Sequence, residues 1–240
     1  MRKLLVIGLG AGDPELLTVQ ATRALARVDV FFIPDKGEEK AELRDRRIEI
    51  CRQFAPRARF VEFASPRRKK DFTDYKANVE DWHASIAEEY RRLLATELKD
   101  GQTVGLPIWG DPSLYDSTLR ILEKLDVGYE VVPGISSIQL LAARHRIPLN
   151  RIGEPVVVTP ARKLAEPLAD TTVVVLDGER SYRKLDGETY DIYWGAYLGT
   201  KDEILVAGKL GDVKDEIDAK REAARAAKGW IMDTYLLRRR

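Results

Sequence analysis

Residues Ile7 to Thr18 form the stretch IGLGAGDPELLT, which follows an apolar run near the start of the chain. The apolar run predicts a buried strand, and the glycines after it predict a tight turn into a helix. Gly8 and Gly10 stand where the dinucleotide-binding motif G-x-G-x-x-G/A has its first two glycines, but that motif needs a small residue where this chain has Asp13. A carboxylate at a helix N-terminus repels a pyrophosphate, so Asp13 and Pro14 predict a capped helix start and argue against a dinucleotide site.

The composition is that of a globular protein without a strong charge bias. The 240 residues are 44% hydrophobic, which suffices for one large domain or two small ones. The net charge of +1 gives no support for a nucleic-acid partner, and the basic runs 67–70 and 238–240 are interpreted as a solvated loop and a chain end. Cys51 is the one cysteine and is predicted to be a buried structural thiol. No apolar run approaches the roughly 20 residues of a membrane span, so we expect a soluble, cytoplasmic protein.

Strands and helices alternate in the first half of the chain, which predicts an α/β fold with a largely parallel sheet. The predicted strands are 4–7, 30–33, 59–63, 103–109 and 129–132, and the predicted helices are 14–28, 39–54, a long amphipathic helix from about 75 to 98, and 112–125.

The second half has a different pattern, with a helix at 135–144, a helix at 212–227 and short strands at 156–159, 172–176, 191–197, 203–207 and 230–237. This pattern predicts a mixed α+β domain. We place the boundary near Pro133, so the predicted domains are 1–133 and 134–240.

Two further loops share the character of the first. Gly110-Asp111-Pro112-Ser113-Leu114 follows the strand at 103–109, and Pro133-Gly134-Ile135-Ser136-Ser137 follows the strand at 129–132. A well-capped helix start explains either of the glycine-aspartate-proline loops alone. All three loops are expected at the carboxyl ends of one sheet, where α/β proteins bind ligands. Together they predict a ligand site.

In order and spacing, these three loops resemble the tetrapyrrole methylases, the class III S-adenosylmethionine (SAM) methyltransferases, over essentially the whole chain. The resemblance implies two α/β domains with SAM in the cleft between them, a tetrapyrrole in a trough beside it, and a homodimer. It implies a SAM site lined by Gly110, Asp111, Leu114, Ser136, Ser137, Ala11 and, from second-domain strands, Leu176 and Ala196. It also implies that the first loop, with Gly10, Gly12 and Asp13, faces the tetrapyrrole.

Two positions depart from the family pattern. Family members commonly have Gly-Pro-Gly where this chain has Gly10-Ala11-Gly12, which affects the expected shape of the loop. They have a small residue where this chain has Trp109, whose indole either stacks on the macrocycle or fills core. The sequence has no Cys/His cluster, so we expect no metal site.

The stretches 31–37, 143–151, 193–197 and 229–235 most resemble family members of corrin synthesis that remove an acetyl group as they methylate a ring carbon. Such deacylation needs a general base, and the candidates are Asp35, His83 and His145. The cations beside His145 are expected to lower its pKa. A substrate rimmed with carboxylates needs cationic partners, for which the candidates are Lys36, Arg144, Arg146 and Arg151. The alternative for His83 is a partly buried helix position. The alternatives for His145 are a loop position that binds a substrate carboxylate and a plain surface role, and the alternative for each of the four cations is an ordinary solvated charge.

Three other functions compete with this one. The chain is alternatively a methylase of the same family with another substrate, which includes a protein side chain or RNA. It is alternatively a protein that binds SAM without turnover. A nicotinamide oxidoreductase is the third alternative, and Asp13 argues against it.

Overall fold

The computed structural model describes residues 3–38, 41–69 and 73–240. They form two compact units, Met1–Ser136 and Ser137–Arg240. The division falls slightly after the boundary predicted at residues 133 and 134. Ser136 belongs with the first unit because its Cα and Cβ lie against Gly110.

The first unit contains a five-stranded sheet in the order β3-β2-β4-β1-β5, and every strand pair in it is parallel. The strands are β1 (Lys3–Gly8), β2 (Val30–Asp35), β3 (Arg59–Ala64), β4 (Thr103–Ile108) and β5 (Tyr129–Val132), and the helices are α1 (Val19–Leu25), α2 (Ala41–Phe54), α3 (Tyr75–Thr96) and α4 (Thr118–Leu122). The predicted α/β fold with a parallel sheet is confirmed. Of the helix predicted at 39–54, residues 39 and 40 lie outside the described part.

Helices cover both faces of this sheet. Successive strand residues point to opposite faces, so Leu4 and Val6 pack with α3 and α4 while Leu5 and Ile7 pack with α1 and α2. Cys51 belongs to the second of these layers and is fully buried, as predicted. Both faces of the central strands are therefore apolar, which leaves their carboxyl ends as the place for polar side chains.

The helix predicted at 14–28 is wrong as a single helix. Asp13 does cap a helical start, since its Oδ1 accepts a hydrogen bond from the backbone N–H of Glu15 at 2.9 Å, but that start is one 3-10 turn, Pro14–Leu16. Leu17 is extended and interrupts the helix. Thr18 then caps α1, its Oγ1 accepting from the N–H of Ala21 at 3.0 Å.

The helix predicted at 112–125 is also wrong over its first half, because α4 begins only at Thr118. Tyr115 has a φ of +52°, a left-handed conformation that no helix accommodates. Asp116 then turns the chain, its Oδ1 accepting from the N–H of Thr118 at 2.7 Å. The residues between Gly110 and α4 are consequently a loop.

The second unit contains another five-stranded sheet, in the order β6-β7-β10-β8-β9. Its strands are β6 (Val156–Pro160), β7 (Thr171–Val175), β8 (Tyr190–Ala196), β9 (Ile204–Lys209) and β10 (Asp233–Arg239), and its helices are α5 (Ser137–His145) and α6 (Leu210–Lys228). β6 and β7 pair in parallel and the other pairs are antiparallel, which confirms the predicted mixed unit. Its core is centred on the fully buried Trp194, Tyr182 and Tyr235. In the described part of the chain, no helix has both the length and the apolar character needed to span a bilayer.

Candidate active site

The first and second glycine loops are joined backbone to backbone. They follow β1 and β4, which are neighbours in the parallel sheet, so both leave the sheet at its carboxyl edge. Gly10 donates its N–H to the carbonyl of Gly110 at 3.3 Å, and Gly110 donates to the carbonyl of Gly10 at 2.7 Å. Both glycines have a left-handed φ, +70° and +67°, which lets the two turns meet in this way.

The third loop touches the other two through glycines. A Cβ atom built on Gly134 would lie 2.1 Å from the carbonyl oxygen of Gly110 and 2.9 Å from the Cα of Gly8. A Cβ on Gly8 would lie 2.6 Å from the backbone nitrogen of Gly134. No side chain fits at either position, so the three backbones approach each other directly. We call Gly8, Gly110 and Gly134 the glycine cradle.

Asp111 ties the second loop to the third. Its Oδ2 accepts a hydrogen bond from the N–H of Gly134 at 2.9 Å, and its Oδ1 accepts from the N–H of Ser113 at 2.8 Å and from the Ser113 hydroxyl. Burial raises the pKa of Asp111, but these hydrogen bonds favour the ionised form and outweigh it, so the pKa is lower than usual. An ionised carboxylate therefore holds the loops together at neutral pH.

The remaining loop residues predicted for the site accompany these contacts. Ala11 and Gly12 are buried, and the Gly12 carbonyl accepts a hydrogen bond from Nε of Arg46 on α2 at 3.1 Å. Leu114 is half-buried and Ser136 is buried. With Gly10, Asp13, Gly110 and Asp111, these residues lie on the three joined loops, so the structure brings this part of the predicted site together.

Trp109 stands directly before the second loop. It is half-buried and packs against the apolar layer formed with α1 and α2. The guanidinium carbon of Arg47 on α2 lies 5.5 Å from the centre of the indole ring, a cation–π distance. Its Nε1 is buried and has no hydrogen-bond partner among the described residues. The indole thus fills core on one side and contacts a buried cation on the other.

The end of β2 carries Asp35 and Lys36. Oδ1 of Asp35 accepts from the N–H of Gly37 at 2.9 Å, and Oδ2 lies 3.5 Å from an amino nitrogen of Arg44. Asp35 therefore organises the turn and takes part in an ion pair, which a free general base would not do. Lys36 is exposed, as a partner for a carboxylate at the surface would be.

His83 makes its contacts with residues outside the three glycine loops. It is 3% exposed on α3 and borders a cavity of about 440 Å³ formed with α4 residues, none of which belongs to a glycine loop. Burial lowers its pKa, and its Nε2 has no hydrogen-bond partner among the described residues. His83 therefore has a helix position, as in the alternative to catalysis, and it is more completely buried than that alternative predicted.

His145 lies in the second unit at the end of α5. Its Nε2 lies 3.0 Å from the carbonyl oxygen of Trp194, which only accepts, so Nε2 carries the proton and Nδ1 the lone pair. Its pKa is lowered as predicted, but the largest cause is burial and not the neighbouring cations. Of those cations, Arg144 is paired with Glu203, its Nε lying 2.8 Å from Oε1.

The other second-unit residues lie on several elements, although Leu176 and Ala196 share one edge of the sheet, because Thr234 of β10 pairs with both Val175 and Gly195. Arg146 is exposed, and Arg151 donates a hydrogen bond to the carbonyl of Arg239. Leu176 directly follows β7, has a φ of +57° and is 61% exposed, which is unusual for a branched apolar side chain. Ala196 is fully buried at the end of β8, and Ser137 begins α5.

Sequence reasoning missed Arg47. This residue is 9% exposed, although charged side chains are almost never buried without a partner. The helical spacing could have predicted its burial, because Ile50 and Cys51 follow Arg47 by three and four residues and therefore lie on the same face of α2. An arginine at an apolar position of a helix is an anomaly that the sequence alone displays.

A parallel α/β sheet whose carboxyl edge bears joined glycine loops defines a ligand-binding α/β protein of the kind that holds small molecules at this edge. Comparison with known families gives the particular class: the chain belongs to the Tetrapyrrole (Corrin/Porphyrin) Methylases, whose family model matches residues 3–214. Within residues 3–38, 41–69 and 73–240, no group of three or more His, Cys, Asp and Glu side chains is arranged to hold a metal ion.

Three relatives illustrate the membership. The chain is 49% identical to the precorrin-6A synthase [deacetylating] of Sinorhizobium sp., an alignment that covers 100% of this chain and 96% of the relative. It is 36% identical to a cobalamin synthesis related protein (CobF) from Corynebacterium diphtheriae, with a TM-score of 0.85 over 99% of this chain and 98% of the other. Uroporphyrin-III C-methyltransferase from Thermus thermophilus, solved with S-adenosylhomocysteine, shares the fold at 20% identity and a TM-score of 0.58, over 98% and 91% of the two chains.

Proposed function

We propose that this protein is a SAM-dependent C-methyltransferase of cobalamin biosynthesis that converts precorrin-5 to precorrin-6A. It would methylate ring carbon C1 and release the acetyl group of that carbon as acetate. The observation that carries the proposal is the glycine cradle, found in a chain with 49% identity over its full length to a deacetylating precorrin-6A synthase. A cytoplasmic location and a homodimer complete the proposal.

The cradle suits SAM because it offers backbone without side chains. Gly8 and Gly134 leave no room for a Cβ, because backbone atoms of the neighbouring loops fill that space, so main-chain N–H and C=O groups form the surface that a ligand would meet. The bonds between Gly10 and Gly110, and from Gly134 to Asp111, hold these groups in place before a ligand arrives. When bound, SAM supplies a methyl group on a cationic sulfur, whose transfer to an electron-rich carbon depends mainly on orientation.

The substrate would be recognised through its carboxylate side chains. Arg146 is an exposed cation and is the strongest candidate. Lys36 is exposed as well and is a further candidate. Arg144 and Arg151 are weaker, because the first is paired with Glu203 and the second is bonded to the Arg239 carbonyl. Each would have to exchange an internal partner for the substrate.

Release of acetate requires water to add to the acetyl carbonyl, and a general base typically contributes roughly 10²–10⁴-fold to such a step. His145 fits this role better than Asp35 or His83. Its lowered pKa keeps the imidazole neutral, and the Trp194 carbonyl holds the proton on Nε2 so that Nδ1 can accept one from water. We therefore assign the base to His145.

Two experiments test the function. Calorimetric titration with S-adenosylhomocysteine, with NAD as the control ligand, should show saturable binding of the first only. Asp111→Ala, which removes the tie to Gly134, should weaken that binding. A folded protein that binds NAD and not S-adenosylhomocysteine would contradict the proposal.

Turnover of precorrin-5 with SAM should then yield acetate and methylated product in equal amounts. His145→Gln should lower kcat by about 10²-fold or more if the base is lost, whereas His83→Gln is the matched control and should retain activity. Binding without turnover on any precorrin would favour the binding-protein alternative, and turnover of a different precorrin would favour another methylase of the family.

A further inference from the structure

A second cavity lies at the carboxyl edge of the first-unit sheet. Its volume is about 200 Å³, and its walls come from β2, β3 and β4 and from α3 and α4. Apolar and aromatic side chains of the wall include Phe32, Phe63, Ile86, Tyr90 and Ile108, and polar groups make up the larger part of the lining surface. Arg47 supplies a guanidinium to this mixed wall, and we call the cavity the Arg47 pocket.

Among the described residues, no carboxylate forms an ion pair with the buried guanidinium of Arg47. Its Nε is inaccessible and has no hydrogen-bond partner among the described residues. Burial lowers the pKa of Arg47, while nearby Cys51, Tyr90 and Asp116 act in the opposite direction. A buried charge without a paired carboxylate is costly to maintain, and the carboxylate of a ligand would supply that partner.

The other charged groups of the pocket are Asp116 and Lys36. Asp116 is close enough to influence Arg47, but its Oδ1 accepts the N–H of Thr118 at 2.7 Å and within the described chain no ion pair joins it to the guanidinium. Lys36 is exposed at the end of β2 and adds positive charge at the border of the pocket. An anion in the pocket would thus meet Arg47 directly.

The size of the pocket limits the occupant. A cavity of roughly 150 Å³ holds a molecule the size of benzene, so about 200 Å³ accepts a short carboxylate and excludes a tetrapyrrole macrocycle. A guanidinium binds a carboxylate through two parallel N–H···O bonds, which a lone halide cannot reproduce.

We propose that the Arg47 pocket binds a short carboxylate beside the second glycine loop. The link to the loop is Trp109, which stacks on Arg47 and immediately precedes Gly110. The inference rests on the proposed function for the source of the ligand: the carboxylate is either the released acetate or an acetate side chain of the substrate. Both present the same group to Arg47.

Binding is measured directly with sodium acetate on the full-length protein, by saturation-transfer NMR and calorimetry at constant ionic strength, with chloride as the control anion. Wild-type protein should bind acetate saturably. Arg47→Met should bind it at least tenfold more weakly, and Arg47→Lys should be intermediate. Arg52→Met is the matched control, because Arg52 lies on the same helix, is exposed and stacks on Phe60; it should bind acetate like the wild type.

S-Adenosylhomocysteine binding by the same samples separates this proposal from the proposed function. Loss of acetate binding in Arg47→Met with retained S-adenosylhomocysteine binding supports the pocket. Absence of saturable acetate binding in a wild-type protein that binds S-adenosylhomocysteine overturns the pocket alone, as does equal acetate binding by Arg47→Met. During turnover, acetate that competes with the substrate identifies a substrate side chain as the occupant, and acetate that inhibits without competing identifies the product.

Discussion

Gly134→Ala is the substitution that tests the glycine cradle most directly. The new Cβ would lie 2.1 Å from the carbonyl oxygen of Gly110 and 2.9 Å from the Cα of Gly8, both backbone atoms that cannot rotate away. Ordinary van der Waals contact begins at 3.4 Å, so one loop must move by about 1 Å to relieve an overlap of this kind.

The expected cost follows from this displacement. Overpacking of a close contact costs about 1–3 kcal/mol, which for a chain of this size lowers Tm by about 2–4 °C per kcal/mol. Misplacement of a site by about 1 Å can cost about 10²-fold in rate. The hydrogen bond from Gly134 to Asp111 would be disturbed as well, so we expect the Kd for S-adenosylhomocysteine to rise at least tenfold.

The measurements are a thermal melt, calorimetric titration with S-adenosylhomocysteine, and kcat in the precorrin-5 assay. Gly128→Ala is the matched control, because a Cβ at Gly128 meets no atom within 4 Å and its φ is not left-handed. Its free energy of unfolding should change by no more than about 0.5 kcal/mol. If Gly134→Ala matches Gly128→Ala in Tm and Kd, the three loops do not touch as described.

Three further predictions concern charge. The pKa of Asp111 is depressed in the folded state, so its carboxylate stabilises the protein above the unfolded pKa of about 3.9 and loses that effect as the pH falls. The difference in Tm between the wild type and Asp111→Ala should therefore become smaller on acidification. Arg47→Met should raise the free energy of unfolding by about 1–4 kcal/mol, because an apolar side chain replaces a buried charge that has no counter-ion among the described residues. A fall in Tm would show that the Arg47 guanidinium does have a stabilising partner. Burial raises the pKa of Asp233 to about 6, against the opposing effects of Arg221 and Trp194. The free energy of unfolding of the second unit should therefore fall by at most about 3 kcal/mol as the pH rises from about 4 through 6. Chemical-denaturation curves of Asp233→Asn should not show this fall.

Local pattern was sufficient for most of the fold and failed where a distant contact intervened. The strands of the parallel sheet were predictable because their apolar runs are bounded by glycine and proline. The helix predicted from residue 112 was wrong because the chain forms only a turn after Asp111, whose carboxylate accepts the N–H of Ser113 and also that of Gly134, more than twenty residues away. The left-handed Tyr115 completes the break, and a tyrosine gives no local signal for that conformation.

Some features of the candidate site were likewise predictable from local sequence, and others were not. Its loops and their order were visible in the sequence, as were the glycines that allow tight turns. The cause of the lowered pKa of His145 was not, since burial depends on packing against β8 and not on the neighbouring Arg144 and Arg146. The pairing of Arg144 with Glu203 was equally hidden, because the two residues are far apart in the chain.

The sequence by itself determined the alternation of strands and helices, the mixed second unit and the three loops that mark the family, because each of these depends on short-range periodicity and turn chemistry. Only the tertiary structure decided that Gly8, Gly110 and Gly134 touch, that Asp111 joins two loops, and that Arg47 is buried at a cavity. These features arise from atoms brought together by the order of strands in the sheet. The close approach of three backbones and the desolvation of a charge are properties of that assembly, and no single segment of the chain contains them.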